Sequence, residues 1–271
     1  MIKQAIIPLA GLGTRLLPLT SVIPKELLPI NGKPNIEHIM DECLAAGIKE
    51  FIFIISKKKE NIRKYFFNDS FYKKILKKKK NKLLLNQFKK LKKYQKKIKF
   101  VYQNNPKGTG DAILKCEKYL KGKYFMMLLP DDLIVKKNCT QEMLKLHNAT
   151  KNCIIATKKI NKNNVSRWGI LGVKNKKKNH FTISEVIEKP SYKNAPSNYA
   201  IIGRYILPTK IISEIKTLKP GKGGEIHITD AIKNLIFKNE KFLANIFKGD
   251  YLDCGTLEGY KNSCKLMAKE N

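Results

Sequence analysis

Residues 3–15 read Lys3-Gln4-Ala5-Ile6-Ile7-Pro8-Leu9-Ala10-Gly11-Leu12-Gly13-Thr14-Arg15, an apolar run that stops at two glycines and a cation. A short apolar run bounded by a turn signal suits a buried strand. Residues 51–56, 98–103 and 124–129 have the same form. Between these runs, residues 36–46 carry apolar side chains at helical spacing and stop at Gly47. Residues 111–120 read as another helix, ended by Gly122. Strands alternating with helices predict an α/β fold, with a mostly parallel sheet covered on both faces. The second half changes character. Shorter strands are expected at 153–158, 169–174, 181–188 and 199–207, and helices at 210–218 and 229–239. No repeat or linker separates the halves. The expectation is therefore one domain over 1–271, with lobes of about 1–150 and 151–271.

The chain has 271 residues, of which 42% are hydrophobic, enough to bury a core and to exclude overall disorder. No run approaches the ~18 apolar residues of a membrane span. Its unusual property is charge: 55 Lys+Arg against 22 Asp+Glu, a net +33. Such an excess raises nucleic acid or an anionic membrane as partner. The excess is local, however. Residues 57–99 carry a net +17 and residues 158–178 a net +8. Both segments are dominated by Lys, which gives strong electrostatics without geometric recognition. Tyr65, Phe66, Phe67, Phe71, Tyr72, Phe88 and Tyr94 interleave with the first run, as a single-strand binder would require. The simpler expectation is a solvated helical face with its aromatics packed inward. On that expectation, no specific nucleic acid and no membrane is a partner.

No leader is expected in the first residues, because Pro8, Gly11, Gly13 and Arg15 break the apolar stretch. Six cysteines, none in a Cys-x-x-Cys pair, suit reduced thiols and a cytoplasmic location. His38, His147, His180 and His227 lack zinc-ligand spacing.

In a parallel sheet, ligands bind beyond the C-terminal strand ends. The loop Ala10-Gly11-Leu12-Gly13-Thr14-Arg15 would let backbone N–H groups approach a phosphate or a base. A dinucleotide fingerprint needs glycine where Leu16 stands, and no P-loop motif occurs. Arg15 is followed by Pro24-Lys25-Glu26-Leu27-Leu28-Pro29, so Arg15 and Lys25 can flank one anion, as a reacting triphosphate demands. Asp131 follows the strand that ends at Leu129-Pro130. A carboxylate emerging there suits Mg²⁺, and it also suits a plain turn.

Seven segments together resemble the sugar-nucleotidyltransferase (nucleotide-sugar pyrophosphorylase) family, in particular its uridylyltransferases acting on glucose 1-phosphate. They are GLGTRLLPLTSVIPKELLP at 11–29, QNNPKGTGDA at 103–112, LPDD at 129–132, EKP at 188–190, APSNYAIIGRYIL at 195–207, GGEIHITDAI at 223–232 and DCG at 253–255. The resemblance implies a Rossmann-like nucleotide-diphospho-sugar transferase fold with a smaller sugar-binding lobe. It implies that UTP and glucose 1-phosphate yield UDP-glucose and pyrophosphate with Mg²⁺ as cofactor. Arg15 and Lys25 would be catalytic. Ala10, Gly11, Gly13, Thr14, Glu26, Gln103, Gly108 and Asp132 would hold the nucleotide. Gly169, Glu188, Lys189 and Gly203 would hold the sugar phosphate, and Asp131 and Asp253 the metal. A structural role is expected for Gly223-Gly224-Glu225 and for Thr229-Asp230. The resemblance also implies a homo-oligomer, a dimer or tetramer. Alternatives are the same chemistry with dTTP, a nucleic-acid-binding protein built on the lysine-rich insert, and a glycosyltransferase using Asp131-Asp132.

Overall fold

The computed structural model describes residues 2–68 and 70–269; Met1, Asp69, Glu270, Asn271 and the side chain of Lys222 lie outside the description. The first half contributes strands β1 (Gln4–Pro8), β2 (Pro29–Ile30), β3 (Lys33–Pro34), β4 (Glu50–Ile55), β5 (Ile98–Tyr102), β6 (Tyr124–Leu128) and β7 (Asp132–Val135). The second half contributes β8 (Cys153–Lys159), β9 (Gly169–Lys174), β10 (His180–Glu188), β11 (Tyr199–Pro208), β12 (Phe242–Ile246) and β13 (Asp250–Asp253). The helices are α1 (Asn35–Ala45), α2 (Glu60–Phe67), α3 (Ser70–Lys78), α4 (Lys82–Gln95), α5 (Thr109–Leu114), α6 (Cys139–Thr150), α7 (Ile211–Thr217), α8 (Ile228–Phe237) and α9 (Leu257–Ala268).

Nine strands form one sheet in the order β5-β4-β1-β6-β11-β8-β12-β10-β9. Seven of them run the same way; only β10 and β11 run against the rest. Successive side chains of a strand point to opposite faces, which explains why the inner strands β1, β4, β6, β8 and β11 are buried along most of their length. Ala5, Ile7, Leu9, Phe51, Phe53 and Ile55 meet Ile36, Met40 and Cys43 of α1, Phe66 of α2 and Met143 of α6 on one face. Ile6, Ile52 and Ile54 meet Ile113 of α5, Ile211 of α7 and Ile232 of α8 on the other. Phe53 sits edge-on to Phe51, Phe66 and Phe100, with ring centroids 6.3, 5.9 and 5.8 Å away. Such pairs add ~0.5–1.5 kcal/mol each beyond burial.

The expected single helix over 111–120 is two pieces, α5 and a 3₁₀ turn at Glu117–Tyr119. The insert at 57–99 folds as α2, α3 and α4. Its aromatics divide. Phe66 and Tyr94 are buried, Tyr65 and Phe88 pack against the core, and Phe67, Phe71 and Tyr72 stay exposed. The insert is fastened to α1 by Asp41, which accepts a hydrogen bond from Tyr94 (2.7 Å) and pairs with Lys33 and Lys93. All six cysteines are free and five are buried. Among the described residues, no helix is long and apolar enough to cross a membrane.

One small element matters most for function. Strands β7 and β13, each four residues, pair antiparallel so that Asp253 lies opposite Asp132. This pairing carries the far end of the chain to the C-terminal edge of β6.

Candidate active site

The parallel strands end along one edge. After β1, Leu9 N–H donates to the Ile54 carbonyl (2.7 Å), Ala10 is buried, and the loop through Gly11 and Gly13 turns at Thr14–Leu16. The Gly13 carbonyl accepts from Thr20 Oγ1 at 2.8 Å. After β5, Gln103 is buried and its N–H donates to the Ile55 carbonyl at 2.8 Å. The Gln103 side-chain amide N–H₂ donates to Asp111 Oδ2 at 2.5 Å and to the Gly108 carbonyl at 3.4 Å. Gly108 has φ +102°, and a Cβ there would lie 2.5 Å from the Ile226 carbonyl oxygen, so only glycine fits.

Charge concentrates beyond β6. Lys25 Nζ lies 2.6 Å from Asp131 Oδ2, and Arg15 Nη2 lies 3.6 Å from the same oxygen. Burial raises the Asp131 carboxyl, but Lys25 and Arg15 outweigh burial and hold it below its ordinary range, ionised. Burial opposes the charge on Lys25, but Asp131 and Glu26 raise it above its usual value. Asp253 Oδ1 accepts the Gly255 N–H at 2.9 Å. A Cβ on Gly255 would stand 2.8 Å from Asp131 Oδ2 and 3.1 Å from Arg15 Nη2. The two carboxylates therefore flank a space that any side chain at 255 would invade. Two hard oxygen donors, one held ionised, suit Mg²⁺, which takes its remaining ligands from water and phosphate. Among the described residues, no group of three or more His, Cys, Asp or Glu side chains converges.

The neighbouring Asp132 differs. Its Oδ2 accepts the Gly203 N–H (3.0 Å) and its Oδ1 the Tyr251 hydroxyl (2.7 Å). Burial and the adjacent Asp131 charge raise its carboxyl to about 6. It fastens β11 and β13 to the site, and Gly203 spends its N–H on that contact. Arg204, fully buried, donates to Glu42 of α1 through Nε and Nη2 (Nη2–Oε2 2.8 Å), and to the Leu129 and Gly203 carbonyls at 3.1 Å each. It thereby fixes the backbone that presents Asp131. Glu26 is wholly buried with both oxygens on Lys59 Nζ, at 2.8 and 2.9 Å.

A cleft of about 270 Å³ opens from this centre toward the second half of the chain. Arg15, Asp131 and Asp253 line it, together with Gly169, Glu188 and Lys189. Glu188 ends β10 directly opposite Gly169 of β9. Glu188 Oε2 accepts from Thr229 Oγ1 at 3.0 Å, and its Oε1 lies 3.7 Å from Lys189 Nζ.

The fold thus gathers Arg15, Lys25, Asp131 and Asp253 at one point and Gly169, Glu188 and Lys189 along the same cleft. Ala10, Gly11, Gly13, Thr14, Gln103 and Gly108 follow the adjoining strand edge. Glu225 and Thr229, read from sequence as structural, also line the cleft. Lys59, Arg167, Arg204 and Tyr251 went unseen. Lys59 and Arg167 lie inside the lysine-rich segments, whose composition hid them. Arg204 had a visible signal, a cation within the otherwise apolar strand Ile201-Ile202-Gly203-Arg204-Tyr205-Ile206-Leu207.

The nucleotidyl transferase family profile matches residues 4–270. The UTP–glucose-1-phosphate uridylyltransferase of Mycoplasma genitalium is 37% identical over 275 residues, covering 100% of this chain and 93% of that protein. The enzyme of the same name from Streptococcus pyogenes is 35% identical over 265 residues, covering 96% and 86%. A crystal structure of UDP-glucose pyrophosphorylase complexed with UDP-glucose matches all of both chains, with a TM-score of 0.88 and 33% identity. A UTP-bound UDP-glucose pyrophosphorylase from Acinetobacter baumannii matches with a TM-score of 0.89 and 30% identity, covering 100% of this chain and 95% of that one. The chain therefore belongs to the nucleotidyl transferase family, among its UTP–glucose-1-phosphate uridylyltransferases.

Proposed function

We propose that the protein makes UDP-glucose and pyrophosphate from UTP and α-D-glucose 1-phosphate by a Mg²⁺-dependent in-line displacement. A phosphate oxygen of glucose 1-phosphate attacks the α-phosphorus of UTP. The new P–O bond forms as the α–β bridging bond breaks, and its electron pair leaves with pyrophosphate. The nucleophile is already ionised, so no general base is needed. The work left to the chain is positioning and charge neutralisation. Ala10, Gly11, Gln103 and Gly108 hold uracil, while Glu26 underpins the Lys25 turn from below. Arg15 and Lys25 neutralise the triphosphate. Glu188 accepts from the glucose hydroxyls, and Lys189 pairs with the sugar phosphate. Asp131 and Asp253 would hold Mg²⁺, which when bound supplies further neutralisation of the phosphates.

The carrying observation is the meeting of Arg15, Lys25 and Asp131 beside Gly255, in a cleft that Asp253, Glu188 and Lys189 also line. The test is pyrophosphate release across four nucleoside triphosphates and several sugar 1-phosphates, with Mg²⁺ and with chelator. Turnover is expected to be highest with UTP and glucose 1-phosphate and to vanish with chelator. A preference for dTTP, release of UDP from UDP-glucose, or metal-free turnover overturns the corresponding part. Lys25→Ala or Asp131→Ala is expected to cut kcat by roughly 10³-fold with an unchanged circular dichroism spectrum, the scale seen on removing a group that stabilises developing charge.

A further inference from the structure

We propose that Arg167 is the phosphate clamp of the sugar substrate, and that Asp253 holds it in check until a cation occupies that carboxylate. The inference rests on the reading above that Asp253 binds the divalent cation. Arg167 ends a 3₁₀ turn, Lys162–Arg167, that leads into β9. Its guanidinium lines the cleft and lies 4.8 Å from the centroid of the Trp168 ring. A cation over an aromatic ring is held by the ring's quadrupole without consuming its N–H donors. Its Nη2 lies 3.3 Å from Asp253 Oδ2.

That contact joins the two sides of the cleft, and Arg167 is its exchangeable member. Asp253 is already anchored by its own loop, with Oδ1 accepting from Gly255 N–H (2.9 Å) and Oδ2 from Thr256 Oγ1 (3.2 Å). A cation on Asp253 leaves the carboxylate in place and expels the guanidinium by like-charge repulsion. The freed group stands beside the sugar end. The Lys189 N–H donates to the Trp168 carbonyl at 3.0 Å, tying the Arg167 segment to Glu188 and Lys189. A phosphate monoester is the ligand that the arginine suits best once Asp253 releases it, because its fork matches two phosphate oxygens. Cation and sugar phosphate are thereby linked: filling one site releases the residue that completes the other.

The test uses Arg167→Ala and Arg167→Lys in the full chain. Two quantities are read: Mn²⁺ affinity of the nucleotide-free protein by electron paramagnetic resonance, and KM and kcat for glucose 1-phosphate at saturating UTP and Mg²⁺. Arg167→Ala is expected to tighten Mn²⁺ binding by about threefold, the scale of an exposed ion pair. It is expected to raise KM for glucose 1-phosphate by roughly tenfold to a hundredfold, the scale of a charged hydrogen-bond pair, with kcat changing far less. Arg167→Lys should recover part of the KM. A purely structural role would weaken both bindings together or leave both unchanged, and either result overturns the proposal. Asp253→Asn keeps the failures apart. If it leaves Mn²⁺ binding intact, the cation reading of Asp253 fails and the check on Arg167 falls with it. The KM of Arg167→Ala still decides the clamp. Absence of wild-type turnover with UTP and glucose 1-phosphate would instead condemn the substrate assignment.

Discussion

Helices α3 and α4 and the edge beyond β6 are both rich in cations, yet they hold them differently. On α3 the lysines face water, and Lys74, Lys77 and Lys78 are exposed. Around the site three shielded cations each have a carboxylate partner: Lys25 with Asp131, Lys59 with Glu26, Arg204 with Glu42. The first region contributes nine lysines and no acid to the net charge. The second accounts for the architecture of the site. A buried charge is tolerated only where a partner and hydrogen bonds replace its lost hydration, so buried cations mark positions the fold requires. An exposed lysine meets no such condition and carries little information about function.

Removing Arg204 should break this contrast most severely. Its side chain is 0% exposed and Glu42 only 8%. Arg204→Ala leaves the carboxylate buried and frees the Leu129 and Gly203 carbonyls, and loss of one partner of a buried pair costs ~3–5 kcal/mol. A large fall in the urea midpoint at constant m, or failure to accumulate folded protein, is expected. A midpoint within experimental error of wild type would show that the pair does not hold the site.

Lys59 and Lys78 sharpen the comparison, because both come from the same lysine-rich insert. Lys59 is 8% exposed; burial pushes its ammonium below the usual value, against the opposing pull of Glu26. Lys59→Ala strands Glu26 and should lower the urea midpoint clearly, while Lys78→Ala should not. Glu26 lies in the same Lys25–Leu27 turn as Lys25, so kcat should also fall for Lys59→Ala alone. Equal effects of the two substitutions would erase the distinction drawn here.

Asp132 allows the same idea to be tested by pH. Its carboxyl titrates near 6, raised by burial and by Asp131, against about 3.9 in an unfolded chain. A carboxyl raised by folding favours the native state when protonated. That contribution is complete below about pH 4 and is lost as pH rises through 6. Asp132→Asn retains an acceptor for Gly203 N–H and cannot ionise. The Tm difference, variant minus wild type, should therefore grow in the variant's favour between pH 5 and 7.5 in metal-free buffer. A difference that stays flat across this range removes Asp132 from the titrating groups.

The sequence carries the first half of the fold because its signals are local. Residues 3–9, 51–56 and 124–129 are dominated by apolar side chains, and each becomes a parallel strand buried along most of its length; 98–103, with Lys99 and Tyr102 exposed, becomes the parallel edge strand β5. The glycine loop and Lys25 announce a phosphate edge for the same reason: the chemistry lies within a few residues. What stayed hidden depends on distance along the chain. Strands β7 and β13 are too short to signal a strand alone, and they exist because Asp132–Val135 finds Asp250–Asp253. The pairs Lys59–Glu26 and Arg204–Glu42 close contacts 33 and 162 residues apart, so neither member carries a local sign of its partner. Lys59 was further masked by two preceding lysines, Lys57 and Lys58, which are exposed.

The smallest expected effect belongs to the exposed lysines. Replacing Lys74, Lys77, Lys78 and Lys79 together by Gln removes four positive charges from the surface of the insert. Exposed substitutions away from caps and pairs usually shift stability by under about 0.5 kcal/mol each. Here the sign should be slightly favourable at low salt, because like charges repel across a strongly basic surface, and it should fade as salt screens them. kcat and KM for both substrates should stay at wild-type values, since none of the four lysines borders the cleft. A rise in KM for UTP that disappears at high salt would show instead that the basic helices steer the nucleotide toward the site, and would give the lysine-rich region a kinetic role that its exposure alone does not reveal.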